Sequence, residues 1–150
     1  MNFVKVALGI ASVLPLASYA ALGGAPGMGA ASQSLLRSAV SLDTPAAATP
    51  YTLRATYGAG GVTIHEYVLP SNVVFAVTWQ GPVRPDMSAL LGSYFPNFTN
   101  AAAEHARGVG PMIEHNGDFH IESAGRAGRF FGKAYLPRLV PVTVRVEQLQ

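Results

Sequence analysis

Val73-Val74-Phe75-Ala76-Val77-Thr78-Trp79 is apolar at nearly every position, the pattern of a strand covered on both faces. Upstream, Val62 to Leu69 is a second extended run, separated from the first by a Pro70-Ser71-Asn72 turn. Further upstream Tyr51, Leu53, Ala55 and Tyr57 alternate with Thr52, Arg54 and Thr56, the period of a half-buried strand. Gly58-Ala59-Gly60-Gly61 is the flexible connection between those two runs. Such short connections predict an antiparallel meander of three strands.

Downstream, Gly81-Pro82 and Pro85 end the sheet segment. Asp86 is placed to cap a helix by accepting orphan backbone N–H groups. Met87, Leu90, Leu91 and Tyr94 follow at helical spacing and make one apolar stripe that can lie on the sheet. Pro96 is expected to stop that helix, and Asn100 to Arg107 to add a turn or two before Gly108-Val109-Gly110-Pro111. Asp118 to Ser123 and Arg129 to Leu136 read as two further strands joined by a turn over Ala124 to Gly128. Asn116-Gly117 is a competing hairpin signal, and Gly132 marks a bulge or a close contact. Val142 to Val146 is either an edge strand or irregular. The expected fold is α+β: an antiparallel sheet built from a three-stranded meander, a helix and then a β-hairpin, with one helix packed on one face.

The chain ahead of Tyr51 has a different character. Lys5 is the only charge among the first twenty residues; an apolar run from Val6 to Leu16 and then Ser18-Tyr19-Ala20 follow. A basic start, a short apolar segment and small residues before the cut are the features of a secretory signal. The expected division is a signal peptide over 1–20, a flexible Ala/Gly/Ser/Pro-rich lead-in over 21–50 and a single α+β domain over 51–150. The apolar run is shorter than the about 20 residues that a membrane helix needs, so no transmembrane span is expected once the signal is cleaved. The corresponding location is periplasmic or secreted.

Composition excludes several function classes. The chain has no cysteine, which removes disulfides, thiolate metal sites and a cysteine nucleophile. Without Lys5, nine basic residues remain against eight acidic ones. Arg126, Arg129 and Lys133 are the nearest approach to a patch, well short of the basic face of a nucleic-acid binder. There is no Gly-x-Ser-x-Gly elbow for an activated serine. Gly128 to Lys133 has the wrong spacing for a phosphate loop, with Ala134 where Ser or Thr is required. No cofactor is implied.

Five stretches point to a family: Ala21-Leu22-Gly23-Gly24, Ile64-His65-Glu66-Tyr67-Val68, Val74 through Trp79-Gln80-Gly81-Pro82, Leu90-Leu91-Gly92-Ser93-Tyr94-Phe95-Pro96, and Gly132-Lys133-Ala134-Tyr135-Leu136-Pro137. They resemble the small exported bacterial proteins grouped as domain of unknown function 2844, across essentially the whole mature chain. The resemblance implies export and a single domain, and it carries no activity, cofactor or catalytic residue.

Two sets of side chains are candidates for function. Trp79, Arg84, Tyr94, Phe95 and Phe98 are expected to gather after the apolar strand, and Trp, Tyr and Arg are enriched where interfaces concentrate binding energy. The alternative is that Trp79 packs in the core. His115, Asp118, His120 and Glu122 are the densest imidazole and carboxylate group. If Asn116-Gly117 forms a two-residue hairpin, His115 faces Asp118 with His120 on the same face, within reach of one zinc ion. The alternative is a solvated strand face whose other side, Phe119 and Ile121, is buried. His65-Glu66 and Glu104-His105 are isolated pairs, and neighbours on a strand point to opposite faces. These residues support a non-enzymatic binding or accessory module of the bacterial envelope, with an unidentified envelope or secreted protein partner, or else a metal-dependent hydrolase using the His/Asp cluster.

Overall fold

In the computed structural model, residues 22–27, 50–105 and 110–149 are described. The expected signal peptide, most of the lead-in and Arg107 lie outside them. The described chain is α+β, and its six strands form one antiparallel sheet. Strands β1 (Thr52–Gly58), β2 (Val62–Val68) and β3 (Val74–Gly81) make the expected meander. Helices α1 (Met87–Leu91) and α2 (Phe95–His105) follow, joined by a 3-10 turn over Gly92–Tyr94. Strands β4 (Met112–Asn116), β5 (Phe119–Arg126) and β6 (Arg129–Tyr135) complete the sheet. The spatial order is β1-β2-β3-β6-β5-β4, so β6 returns to pair with β3 in the middle.

The turns follow local chemistry. Gly58 pairs with Val62, and the connection between them needs Gly60 and Gly61 at φ of 76° and 79°, a region that a side chain disfavours. Asp86 caps α1 as expected: its Oδ1 accepts from the backbone N–H of Ser88 at 2.9 Å and of Ala89 at 3.1 Å. These bonds, that from the Ser88 hydroxyl first, hold the Asp86 carboxyl below its ordinary pKa. Pro96 does not stop the helical region. It is the second residue of α2, where a missing N–H costs nothing and a fixed φ suits the first turn. Strand β4 adds a third strand to the expected C-terminal pair. Val142 to Val146 takes the irregular alternative, followed by a 3-10 turn over Val146–Gln148.

Both faces of β3 are covered, as its composition requires. On one face Val77, Trp79, Ile64 and Val62 meet Leu90, Leu91 and Phe98 from the helices, with Phe119, Ile121 and Ala134 from the second half of the sheet. On the other, Tyr67, Phe75 and Ala76 pack against Leu149, with Val140, Val144 and Val146 from the C-terminal segment around them. Consecutive Phe75 and Ala76 both join this second cluster beside the register shift at Tyr67/Val68, the reorientation that a bulge produces. Tyr51, Tyr67 and Phe75 form a ring cluster with centroids 5.5–6.1 Å apart.

The start of the expected lead-in is integrated into the fold. Leu22 is 2% exposed within the helix-side core. Its N–H donates to Leu90 O at 3.1 Å, Gly23 N–H donates to Val74 O, and Val74 N–H donates to Gly24 O. One apolar side chain and three backbone bonds offset the ordering of a few residues. This is a segment that its Gly- and Ala-rich composition alone left without an anchor.

Candidate functional site

Strand pairing assigns every side chain to a face. Residues opposite one another across an antiparallel pair share a face, and neighbours along a strand alternate. Glu66↔Val77↔Ala134↔Ile121 belongs to the helix side, and His65↔Thr78↔Lys133↔Glu122 to the other. The C-terminal segment covers only the Tyr67–Ala76–Tyr135 end of that second face. Beyond it lies an open groove with a volume of about 1220 Å³. Thr63, His65, Thr78, Gln80, Glu122 and Lys133 line it, along with Phe131 and Leu149. The lining also takes in Trp79, Pro82, Pro111 and Phe130, so polar side chains stand among a larger apolar surface, and Phe131 is 47% exposed beside them.

A chain of polar contacts runs from the groove to the β4–β5 hairpin. Lys133 Nζ lies 3.5 Å from Glu122 Oε2, and His120 Nε2 lies 2.9 Å from Glu122 Oε1. His120 Nδ1 in turn lies 3.2 Å from His115 Nδ1, and the His120 ring sits over Tyr135 with centroids 4.7 Å apart. Burial pushes the Glu122 carboxyl up, but the His120 hydrogen bond and the Lys133 charge outweigh it and hold the group below the ordinary carboxylate value. Glu122 is thus ionised at neutral pH. Burial, then the Glu122 and Glu147 charges, push the Tyr135 phenol up.

The structure divides the His/Asp trio. The hairpin loop is Gly117–Asp118, because Asn116 pairs with Phe119 and His115 with His120. This one-residue difference from an Asn116-Gly117 loop puts the imidazoles opposite each other and Asp118 in the turn. There Asp118 forms an ion pair with Arg138. Among the described residues no group of three or more His, Cys, Asp and Glu could hold a metal ion. His105 is elsewhere, its Nε2 3.3 Å from Gly110 O.

The aromatic set is used mainly for packing. Trp79 and Phe98 are 3% and 7% exposed, and Tyr94 and Phe95 pack on the same cluster. Tyr94 stacks on Phe119 at 5.4 Å and Phe95 on Phe98 at 6.1 Å. Arg84 does not join them; its guanidinium carbon lies 5.5 Å from the Phe130 ring centroid. Trp79 lies against Gly132, where an added methyl would collide with the indole and with the Glu122 carbonyl. Gly132 is thus a close contact rather than a bulge.

Two buried polar atoms on this side have no hydrogen-bond partner in the described structure, Glu66 Oε2 and Trp79 Nε1. Burial raises the Glu66 pKa to about 7, against the opposing pull of the Arg54 charge.

A family described as a protein of unknown function, DUF2844, matches residues 18–149. The chain belongs to this family. No curated protein and no solved structure matches it. The DUF2844 match begins before Leu22, consistent with that residue's place in the core. Among the described residues, no helix is long and apolar enough to cross a membrane.

Sequence reasoning placed Glu122 beside the histidines and counted Lys133 only with Arg126 and Arg129, without pairing the two across the sheet. Their signal was present: His120 and Glu122 alternate on β5, and Lys133 and Tyr135 on β6. A two-residue loop at Ala127–Gly128, which pairs Arg126 with Arg129, aligns Glu122 with Lys133. A turn spread over Ala124 to Gly128 leaves that register open.

Proposed function

We propose that this DUF2844 protein is an exported, non-enzymatic binding module of the bacterial cell envelope whose ligand occupies the open groove. The observation that carries the reading is that groove. It is concave and mostly apolar with a few polar groups converging in it, the usual form of a ligand site. Lys133 and Glu122 neutralise each other, so the floor does not call for a charged ligand. The Thr63 and Thr78 hydroxyls and the Gln80 amide combine donors and acceptors, and Phe131 offers an exposed ring face. That chemistry favours a neutral, hydroxyl-rich ligand of the glycan class.

Export rests on the N-terminal pattern, with cleavage after Ala20 leaving Leu22 as the second residue of the mature chain.

The test is an NMR titration of the labelled protein with a panel of envelope oligosaccharides. Saturable shifts confined to the groove, reduced at least tenfold in affinity by Gln80→Ala or Phe131→Ala, support the reading. Shifts absent throughout the panel, or centred on the helix side, would refute it.

A further inference from the structure

The contacts at the end of the polar chain fix more than a hydrogen bond. A carboxylate accepts and cannot donate, so His120 Nε2, 2.9 Å from Glu122 Oε1, is the ring nitrogen that carries the proton. A neutral His120 therefore turns its Nδ1 lone pair toward His115 Nδ1, 3.2 Å away. We propose that His115 and His120 form a transition-metal site, with an ion of the Cu²⁺ or Zn²⁺ kind held between their Nδ1 atoms.

Three observations support this assignment. First, two nitrogens 3.2 Å apart, each about 2.05 Å from one ion, subtend about 100° at it, close to the tetrahedral angle. Second, a ligating histidine characteristically donates its other ring N–H to a carboxylate, which sets the tautomer and strengthens the ligand. Glu122 occupies that position toward His120, and Lys133 steadies the carboxylate from its other oxygen. Third, His120 is held in place over Tyr135, whereas His115 is exposed. With both rings neutral and no metal, the Nδ1–H of His115 donates to the Nδ1 lone pair of His120. With metal, His115 shifts to its Nε2–H tautomer, so the neutral pair releases no net proton.

Asp118 is engaged by Arg138 and stays outside the site. The protein thus supplies two ligands, and water or a groove-bound molecule completes the coordination. With imidazole ligands and open positions, Cu²⁺ binds more tightly than Zn²⁺.

The experiment is calorimetric titration of CuCl₂ and of ZnCl₂ into the untagged, metal-stripped full chain. The site predicts one equivalent of Cu²⁺ and weaker Zn²⁺. His115→Ala and His120→Ala should each weaken Cu²⁺ by at least about tenfold, and Glu122→Gln by about 10–100-fold, the range for loss of an outer partner. Asp118→Asn should leave the affinity unchanged. In the unsubstituted protein, substoichiometric Cu²⁺ should broaden the His115 and His120 ring signals first, a readout that needs no variant to fold. No saturable Cu²⁺ binding, first broadening at His65 or His105, or equal damage from Asp118→Asn would overturn the assignment. Oligosaccharide binding in metal-free protein would leave the proposed function standing even then.

Discussion

The two faces of the sheet are put to opposite uses. The helix side is closed: Val77, Trp79, Phe119 and Ile121 are at most 3% exposed, and Leu22 reaches in from the N-terminal segment to complete the cluster. Two of its buried polar atoms, Glu66 Oε2 and Trp79 Nε1, have no hydrogen-bond partner among the described residues. Among the described residues, the opposite face is closed where the C-terminal segment lies on Tyr67, Phe75 and Ala76. Beyond that end its polar groups are joined into a chain, Lys133 to Glu122 to His120 to His115. One face is therefore closed around apolar side chains, and the other leaves polar and charged side chains accessible beyond its buried end. A protein that buried both faces completely would have no open groove to offer.

Trp79→Ala is the strongest challenge to that contrast. A fully buried aromatic predicts a loss of about 3–5 kcal/mol, read by urea denaturation followed by far-UV circular dichroism. A loss below about 1 kcal/mol would return Trp79 to the role of a surface anchor.

Leu22→Ala is expected to cost about 2–4 kcal/mol in the same measurement. A smaller effect would separate the N-terminal segment from the closed face.

Glu66→Gln sharpens the comparison through pH. The Glu66 pKa rises from 4.5 to about 7 on folding, so the folded state binds the proton more tightly. The unmodified protein should lose stability as pH rises from about 4.5 to about 7 and level off above that. Glu66→Gln should remove that slope and gain about 1–2 kcal/mol at pH 8 relative to pH 4, discounted for the compensation that Arg54 provides. Unchanged slopes in denaturation curves collected across this range would show that the carboxyl ionises without penalty.

The smallest effect belongs to the open face. Phe131→Ala should change stability by less than about 0.5 kcal/mol, since its ring is 47% exposed, while weakening ligand binding. A large destabilisation would make Phe131 structural.

Much of the architecture was legible from local patterns. The run from Val73 to Trp79 indicated a strand covered on both sides, and β3 is that strand. Asp86 was readable as a cap because its carboxylate acts within three residues. Pro96 was harder, since the same fixed φ that ends one helix begins the next, and only the 3-10 turn before it distinguishes the two. The site was less legible. His115 and His120 were both in view, but a one-residue difference in the hairpin loop exchanges Asp118 for His120 as the residue opposite His115. Register has a period of two, so each single step replaces an entire set of facing neighbours.

The sequence by itself determined the α+β class, the meander, the capped helix and the absence of cysteine chemistry. These follow from periodicity, turn residues and composition, all short-range properties of the chain. Only the tertiary structure decided that Trp79 is enclosed, that Leu22 belongs to the core and that Lys133, Glu122, His120 and His115 form one line. Those outcomes depend on which strands become neighbours and in what register, and on how far the C-terminal segment extends over the sheet. Contacts between residues distant in sequence settle such questions, and no local propensity specifies them.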